Sequence, residues 1–125
     1  MFENLGLTFA VAGAAIATFL AGIGSSVGLC VASQAAGGVL SEKPERYGSL
    51  MLMVLLPSTQ GIYGFVIAIM IMVKLKIIGG AAADISMIQG LEVFAASLPV
   101  AIAGMISGIQ QGKACASGII MTAKR

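Results

Sequence analysis

The sequence has no histidine and no tryptophan, and only 10% of its 125 residues are charged. Without histidine, the chain lacks the most common general base and the most common ligand of transition metals. Without tryptophan, it lacks the strongest aromatic anchor of a membrane interface. The scarcity of charge excludes a disordered chain, a coiled coil and most soluble enzymes. The net charge of +2 comes from short clusters and gives no basic face for nucleic acid.

Cysteine is also scarce. Cys30 and Cys115 both lie in apolar stretches rich in small residues. A disulfide needs an oxidising compartment, and a metal site needs further ligands. We therefore expect two buried, free thiols.

What the chain does have is three long stretches without a charged side chain. They are, in chain order, Asn4–Ser41, Tyr47–Val73 and Val93–Gly112. About 20 apolar residues are enough for a helix to cross a bilayer, so each stretch predicts one transmembrane helix. The predicted helices cover residues 5–40, 47–76 and 85–121. The first is too long for one bilayer, so we expect it to project into water at one end or to bend at its glycines.

The N-terminal segment differs from a signal peptide. It begins MFENLG, with Glu3 and no basic residue, and its apolar run is far longer than that of a cleaved signal. We therefore expect the first segment to remain in the protein as a membrane span.

The basic residues predict an orientation. The SEKPERYG loop at 41–48 and the end of the third segment carry five of the seven basic residues, against Lys74 and Lys76 in the loop KLKIIGGAAAD at 74–84. The five are Lys43, Arg46, Lys113, Lys124 and Arg125. Since cytoplasmic loops of membrane proteins are enriched in lysine and arginine, we expect the 41–48 loop to be cytoplasmic and the N-terminus to lie outside. The protein is then a multi-pass protein of the cell membrane.

Small residues recur at spacings of three and four in the first and third segments. The two rows are Gly13, Ala17, Ala21, Gly24, Gly28 and Ala32, and Ala101, Gly104, Gly108 and Gly112. Such rows let helix backbones approach closely. They fit packing within one subunit, and they equally fit a ring of many copies around an axis; the spacing does not separate the two.

The first and third segments also align weakly at an offset of 86 residues, with seven identities. If they are repeats, the second copy of the middle segment falls beyond position 130. We therefore expect residues 1–76 to form a first helical hairpin and 77–125 the first half of a second. A fourth transmembrane helix is then absent from the sequence.

The middle segment carries a polar motif, LPSTQGIYG at 56–64. Leu56, Thr59, Gln60 and Tyr63 share one helix face, and polar groups inside a membrane are costly unless they have partners. Pro57 has no N–H, so it interrupts the helix and leaves the carbonyl of Met53 without its usual donor. Hydroxyl, amide and carbonyl oxygens suit a hard cation such as Na⁺. The alternative is hydrogen bonding between helices.

The third segment offers fewer candidates. Gln111 either completes a ligand set or, with Gln110, simply lies near the membrane boundary beside Lys113. Glu92 lies 19 residues before Gln111, about 28 Å along a helix, so we expect it at the outer interface and not in the same site. The sequence contains no nucleophile–base pair and no phosphate-binding loop, so we expect neither an enzyme nor a covalent cofactor.

Three motifs carry a resemblance to a known family. They are LLPSTQGIYGFVIA (Leu55–Ala68), VFAASLPVAIAGMISGIQQGKACASGI (Val93–Ile119) and SEKPERYG. The chain resembles the 16-kDa membrane proteolipid of V-type rotary ATPases, and is most similar to the bacterial sodium-translocating type. The resemblance implies an all-α, polytopic protein of four transmembrane helices in two fused hairpins.

The resemblance also implies a role and partners. Identical subunits would form a rotor ring in the lipid bilayer, turning against the stator membrane subunit (a or I) and bound to the central-stalk subunit (d or C). The ring would move Na⁺, or H⁺, while soluble subunits hydrolyse or make ATP. The rival interpretation is a structural or assembly membrane protein that packs through its small-residue faces and moves no ion.

Carried over residue by residue, the resemblance implies that Na⁺ is bound by the backbone carbonyl of Leu56, the hydroxyl of Thr59 and the side chains of Gln60 and Gln111. Tyr63 matches the residue that hydrogen-bonds the family's essential carboxylate. That carboxylate belongs to a glutamate in the fourth helix, and no residue of this sequence matches it. We therefore expect the 125-residue chain by itself to bind Na⁺ weakly or not at all.

Overall fold

The computed structural model describes residues 4–124, in which helices are the only regular structure. Four α-helices follow one another: α1 (Leu5–Glu42), α2 (Tyr47–Leu55), α3 (Thr59–Lys74) and α4 (Met87–Ala123). Short 3₁₀ turns at Pro44–Arg46 and Leu56–Ser58 join α1 to α2 and α2 to α3. The predicted all-α fold is thus confirmed. Glu3 and Arg125, which entered the expectations on the N-terminus and on orientation, lie outside the described residues.

Three stretches are long and apolar enough to cross a membrane: α1, the segment Pro44–Lys74 that contains α2 and α3, and α4. α1 is one unbroken helix of 38 residues, about 57 Å long. Since the hydrocarbon core of a bilayer is about 30 Å thick, α1 extends beyond it.

The bounds of α3 and α4 have local causes. α3 ends at Lys74, and two residues later Lys76 takes a left-handed conformation with φ of 54° that a helix does not continue through. α4 begins after a capping box in which the Ser86 hydroxyl accepts from the Gln89 N–H and the Gln89 side chain accepts from the Ser86 N–H.

α1 lies in the middle and runs parallel to α4. The closest approaches are between glycines: Gly6 against Gly90, Gly24 against Gly108, and Gly28 against Gly112. In each pair the two residue numbers differ by 84, and a Cβ atom on either glycine would overlap backbone atoms of the facing segment. For Gly6 these atoms belong to Ile85 and Ser86, just before α4. Both small-residue rows predicted from the sequence are buried in this interface. They therefore pack helix on helix within one chain.

α3 lies antiparallel to α1 on another side. Gly64 of α3 lies against Ala17 and Ala21 of α1, and Gly61 lies against Ser25. Pro57, between α2 and α3, packs on Gly28. Gly28 thus has both the 3₁₀ turn and α4 as neighbours.

The 41–48 connection lies at the same end of the molecule as the end of α4. The Lys43 ammonium donates a hydrogen bond of 2.6 Å to the backbone carbonyl of Ala123 in the last turn of α4. A cation is favourable there because the last carbonyls of a helix lack backbone donors. Both basic clusters therefore share one side, as three spans require; that this side is cytoplasmic stays a prediction.

The two cysteines differ. Both are free, and Cys115 is buried in an apolar cluster with Leu50, Val54 and Ile119. Cys30 is exposed, so the prediction of a buried thiol is wrong at this position. The reason is its place on α1: Gly28 and Ala32 face the neighbouring helices, and Cys30, midway between them, faces away.

Candidate ion-binding site

The middle span is interrupted at Pro57. α2 ends at Leu55, and residues 56–58 form a 3₁₀ turn before α3 begins at Thr59. Proline cannot donate to the helical ladder, and its buried ring is held against Gly28 of α1, where there is no side chain to displace it. The turn leaves backbone carbonyls to be satisfied by side chains: the Ser58 hydroxyl donates to Leu55 O at 2.6 Å.

Three oxygens meet just after this interruption. Thr59 Oγ1 lies 3.1 Å from Leu56 O and 3.1 Å from Gln60 Oε1. A hydroxyl has one hydrogen, so it can be directed at only one of these two acceptors at a time. The other oxygen pair then meets with no hydrogen between them. We call Leu56 O, Thr59 Oγ1 and Gln60 Oε1 the oxygen cluster; its composition is that of a hard-cation site.

Gln111 supplies a fourth oxygen, from α4. Its Oε1 is buried and accepts no hydrogen bond from residues 4–124. A buried amide oxygen without a partner costs about 1–3 kcal/mol, so this atom fits a role as a ligand for something not among these residues. Gln111 precedes Gly112, which packs on Gly28, and Pro57 packs on the same glycine. Gly28 therefore places Gln111 at the level of the oxygen cluster.

The oxygen cluster lies at the surface of the three-span bundle. Thr59 and Gln60 are half-buried, Leu56 is 48% exposed, and Tyr63, one turn further along α3, is 59% exposed. Tyr63 therefore faces away from α1 and α4, and its hydroxyl is accessible to a group outside the bundle.

The remaining sequence candidates lie elsewhere. Glu92 is exposed near the start of α4, far from Gln111 along the helix, and Gln110 is exposed beside the half-buried Gln111. Among the described residues no group of three or more histidine, cysteine, aspartate or glutamate side chains could hold a metal ion. The oxygen cluster and Gln111 offer only neutral carbonyl, hydroxyl and amide oxygens.

Sequence reasoning missed Ser25. Its side chain is only 6% exposed, and its Oγ accepts a hydrogen bond of 2.7 Å from the backbone N–H of Gly61. Ser97, the other buried polar side chain in this part of the chain, bonds within its own helix to Phe94 O. Ser25 therefore stands out as a polar link from α1 to α3. The sequence signal was slight: a serine directly following Gly24 in the small-residue row.

Known proteins match the chain along most of its length. A family model described as the C subunit of ATP synthase matches residues 12–71, which include the helix interruption. The K subunit of the V-type sodium ATPase of Enterococcus hirae is 44% identical over 123 residues, covering 98% of this chain and 75% of that protein. The K subunit of the A-type ATP synthase of Methanocaldococcus jannaschii is 34% identical over 113 residues, covering 90% of this chain and 46% of that protein.

These matches agree with the three apolar spans of the structure. On the 44% identity over most of both sequences, the chain belongs to the proteolipid family of the V- and A-type rotary ATPases, the non-catalytic membrane subunits that form the ring of the complex.

Proposed function

We propose that this subunit translocates Na⁺, bound by Leu56 O, Thr59 Oγ1, Gln60 Oε1 and Gln111 Oε1. The observation that carries the proposal is the Thr59 hydroxyl, which has two oxygens at 3.1 Å and hydrogen for only one. The unpartnered Gln111 Oε1 supports it independently. A relative with 44% identity is a sodium ATPase subunit by name.

The ligand chemistry favours Na⁺ over H⁺. A proton needs one titratable group and gains nothing from several neutral oxygens around it. A hard cation of low charge does need them, because each oxygen replaces part of its hydration shell. Transport of H⁺ by the same family remains the alternative, and a carboxylate alone would then carry the proton.

The neutral ligands leave the charge of the ion uncompensated. Four carboxylates lie between residues 4 and 124: Glu42 and Glu45 in or beside the 41–48 connection, Asp84 in the connection before α4, and Glu92 near the start of α4. None is beside the oxygen cluster, which lies at the start of α3. A bare cation inside the bilayer is strongly disfavoured. We therefore propose that a carboxylate from outside residues 4–124 neutralises the ion, and that the exposed Tyr63 hydroxyl holds this carboxylate in place.

The transport cycle follows from this charge balance. A neutralised site can face lipid as the ring turns. At the stator subunit (a or I), a positive charge and a path for water would favour release and rebinding of the ion. Binding of the ring to the central-stalk subunit (d or C) would couple rotation to ATP hydrolysis or synthesis.

The test is protection from a carboxyl reagent, measured on the intact ATPase in its native membrane. We expect Na⁺, but not K⁺, to slow modification by a hydrophobic carbodiimide, because the bound ion shields the carboxylate. Protection by acid pH alone would assign the site to H⁺. The intact mass of the modified polypeptide tells whether the carboxylate is on the same chain as Gln111 or on another.

The structural alternative is favoured by the glycine-to-glycine packing of α1 and α4. A subunit that only packs would enter the ring, but neither Na⁺ nor acid pH would protect it from modification by the carbodiimide. The same labelling experiment therefore separates the two roles.

A further inference from the structure

We infer that Ser25 of α1 is a positioning residue for the ion site, acting as an N-cap of α3 that is supplied by a different helix. Its hydroxyl oxygen accepts from the Gly61 N–H at 2.7 Å, and this bond holds the first turn of α3, which bears Thr59 and Gln60 of the oxygen cluster. The effect on ion binding rests on the proposed function, whereas the cap itself is independent of that function.

α3 has no side-chain cap from its own N-cap residue. The first N–H groups of a helix have no acceptor within it, and the N-cap side chain normally bonds the N–H of the second or third helical residue. Here the N-cap residue is Ser58, and it makes no such bond: its backbone is helical, with φ of −71° and ψ of −19°, and its hydroxyl donates to Leu55 O. Gly61 is the third helical residue, so Ser25 takes the role that Ser58 leaves open.

The absence of a side chain at Gly61 makes the bond possible. A Cβ atom there would lie 3.2 Å from Ser25 Oγ and 3.4 Å from Ser25 Cβ, closer than an ordinary contact for the first of these. An alanine at this position would therefore press on the Ser25 side chain, which would have to shift by a few tenths of an ångström. Burial of Ser25 also keeps water from competing for the N–H.

The bond lies next to the ligands. Gly61 directly follows Gln60 and is two residues after Thr59, so the capped peptide belongs to the same helical turn as both side-chain ligands. Fixing this turn on α1 also fixes it relative to Gln111, because α1 packs on α4 through Gly28 and Gly112. Ser25 thus helps to set the spacing among oxygens that lie on different helices.

The chain offers a matched control in the next residue. Ser26 is exposed, and its hydroxyl bonds only within α1, to Gly22 O at 2.7 Å and Ile23 O at 3.2 Å. Ser26→Ala removes the same atom from the same helix without touching α3.

The experiment measures ²²Na⁺ binding by the intact, purified ATPase carrying Ser25→Ala, Ser25→Cys or Ser26→Ala. We expect the Kd for Na⁺ to rise about 3- to 30-fold in both Ser25 variants, the range that loss of an N-cap gives, with the number of sites per ring unchanged. The Na⁺/Li⁺ selectivity ratio should change as well, because the oxygens are no longer held at one spacing. Ser26→Ala should bind as the wild type does.

Three results would overturn the inference. One is an unchanged Kd in an assembled Ser25→Ala ring. Another is a fall in the number of Na⁺ sites per ring at constant Kd, because this result indicates inactive protein and not a site with weaker affinity. The third is failure of both Ser25 variants to assemble, since the Cys variant keeps the volume and the residue would then serve packing.

Failure of the proposed function gives a different result. If the wild-type complex shows no Na⁺ binding, the sodium assignment is wrong, and amide hydrogen exchange at Gly61 decides on the cap. Faster exchange in Ser25→Ala than in the wild type supports the cap, and equal exchange refutes it.

Discussion

Thr59 and Gln60 are neighbours in the chain, and their side-chain oxygens lie 3.1 Å apart at the start of α3. The same threonine oxygen lies 3.1 Å from the carbonyl of Leu56. Two acceptors around one hydroxyl hydrogen form an arrangement that a cation can complete. The proposed chemistry therefore belongs to the helix interruption created by Pro57.

Removing the threonine hydroxyl should therefore weaken ion binding. Thr59→Val keeps the shape of the side chain and deletes one ligand, and a bond between a polar group and a charge is worth about 1.5–3 kcal/mol. We expect the Kd for Na⁺ to rise roughly 10- to 100-fold, measured by ²²Na⁺ binding to the intact complex. Thr8→Val is the control, because the exposed Thr8 hydroxyl bonds only Asn4 O. Equal affinities in wild type and Thr59→Val would remove Thr59 from the ligand set.

Gln111 should show opposite effects on stability and on binding. Its buried Oε1 has no partner among residues 4–124, so Gln111→Leu removes a desolvation penalty of about 1–3 kcal/mol. We expect the free energy of unfolding in detergent without Na⁺ to rise and the affinity for Na⁺ to fall.

The exposed neighbour provides the comparison for that substitution. Gln110→Leu should leave both quantities unchanged, because the side chain already faces outward. A Gln111→Leu protein that is less stable in the absence of Na⁺ would show that the amide has a partner, and the ligand role would lose its support.

Composition and small-residue spacing were enough to predict the three spans and their packing faces. A run of about 20 apolar residues has one stable solution in a bilayer, and glycine and alanine at spacings of three and four lie on one face whatever the partner. The exposure of Cys30 follows from the same spacing, since it lies between Gly28 and Ala32 on the other side of α1. An apolar context alone predicts burial and does not distinguish the two sides of the helix.

The cap from Ser25 needed the structure. It depends on which residue of α1 lies opposite Gly61. The register of these two antiparallel helices is set by how both pack against α4, and the period of either sequence does not reveal it. The burial of the Gln111 Oε1 atom has the same origin. The sequence is equally consistent with Gln111 at a membrane boundary and with Gln111 as an ion ligand. The contact between Gly112 and Gly28 brings Gln111 to the level of Pro57.

The tight helix contact at Gly28 gives a prediction about stability. A Cβ atom there would overlap the Gly108 carbonyl and lie 2.8 Å from Pro57 Cβ, so Gly28→Ala must separate α1 from both α4 and the 3₁₀ turn. We expect it to lower the free energy of unfolding by about 1–3 kcal/mol, the usual effect of overpacking. Gly37→Ala is the matched control on the same helix, because a Cβ there meets nothing within 4 Å. It should raise stability by about 0.5–1 kcal/mol through helix propensity.

The orientation of the subunit in the membrane can be tested at its two connections. The hydrogen bond from Lys43 to Ala123 O holds the 41–48 loop beside the end of α4. Cysteines placed at Glu45 and at Lys124 should therefore be labelled from the same side of the membrane, and a cysteine at Ala82 from the other side. By the distribution of lysine and arginine, we expect the first two to react with an impermeant maleimide only in inside-out vesicles.

Cys30 and Cys115 are first replaced by alanine, because Cys30 is exposed on α1 and free. Labelling of the Glu45 site in right-side-out vesicles would show that the orientation is the opposite of the predicted one. Labelling of the Glu45 and Lys124 sites from opposite sides would contradict the three-span topology itself.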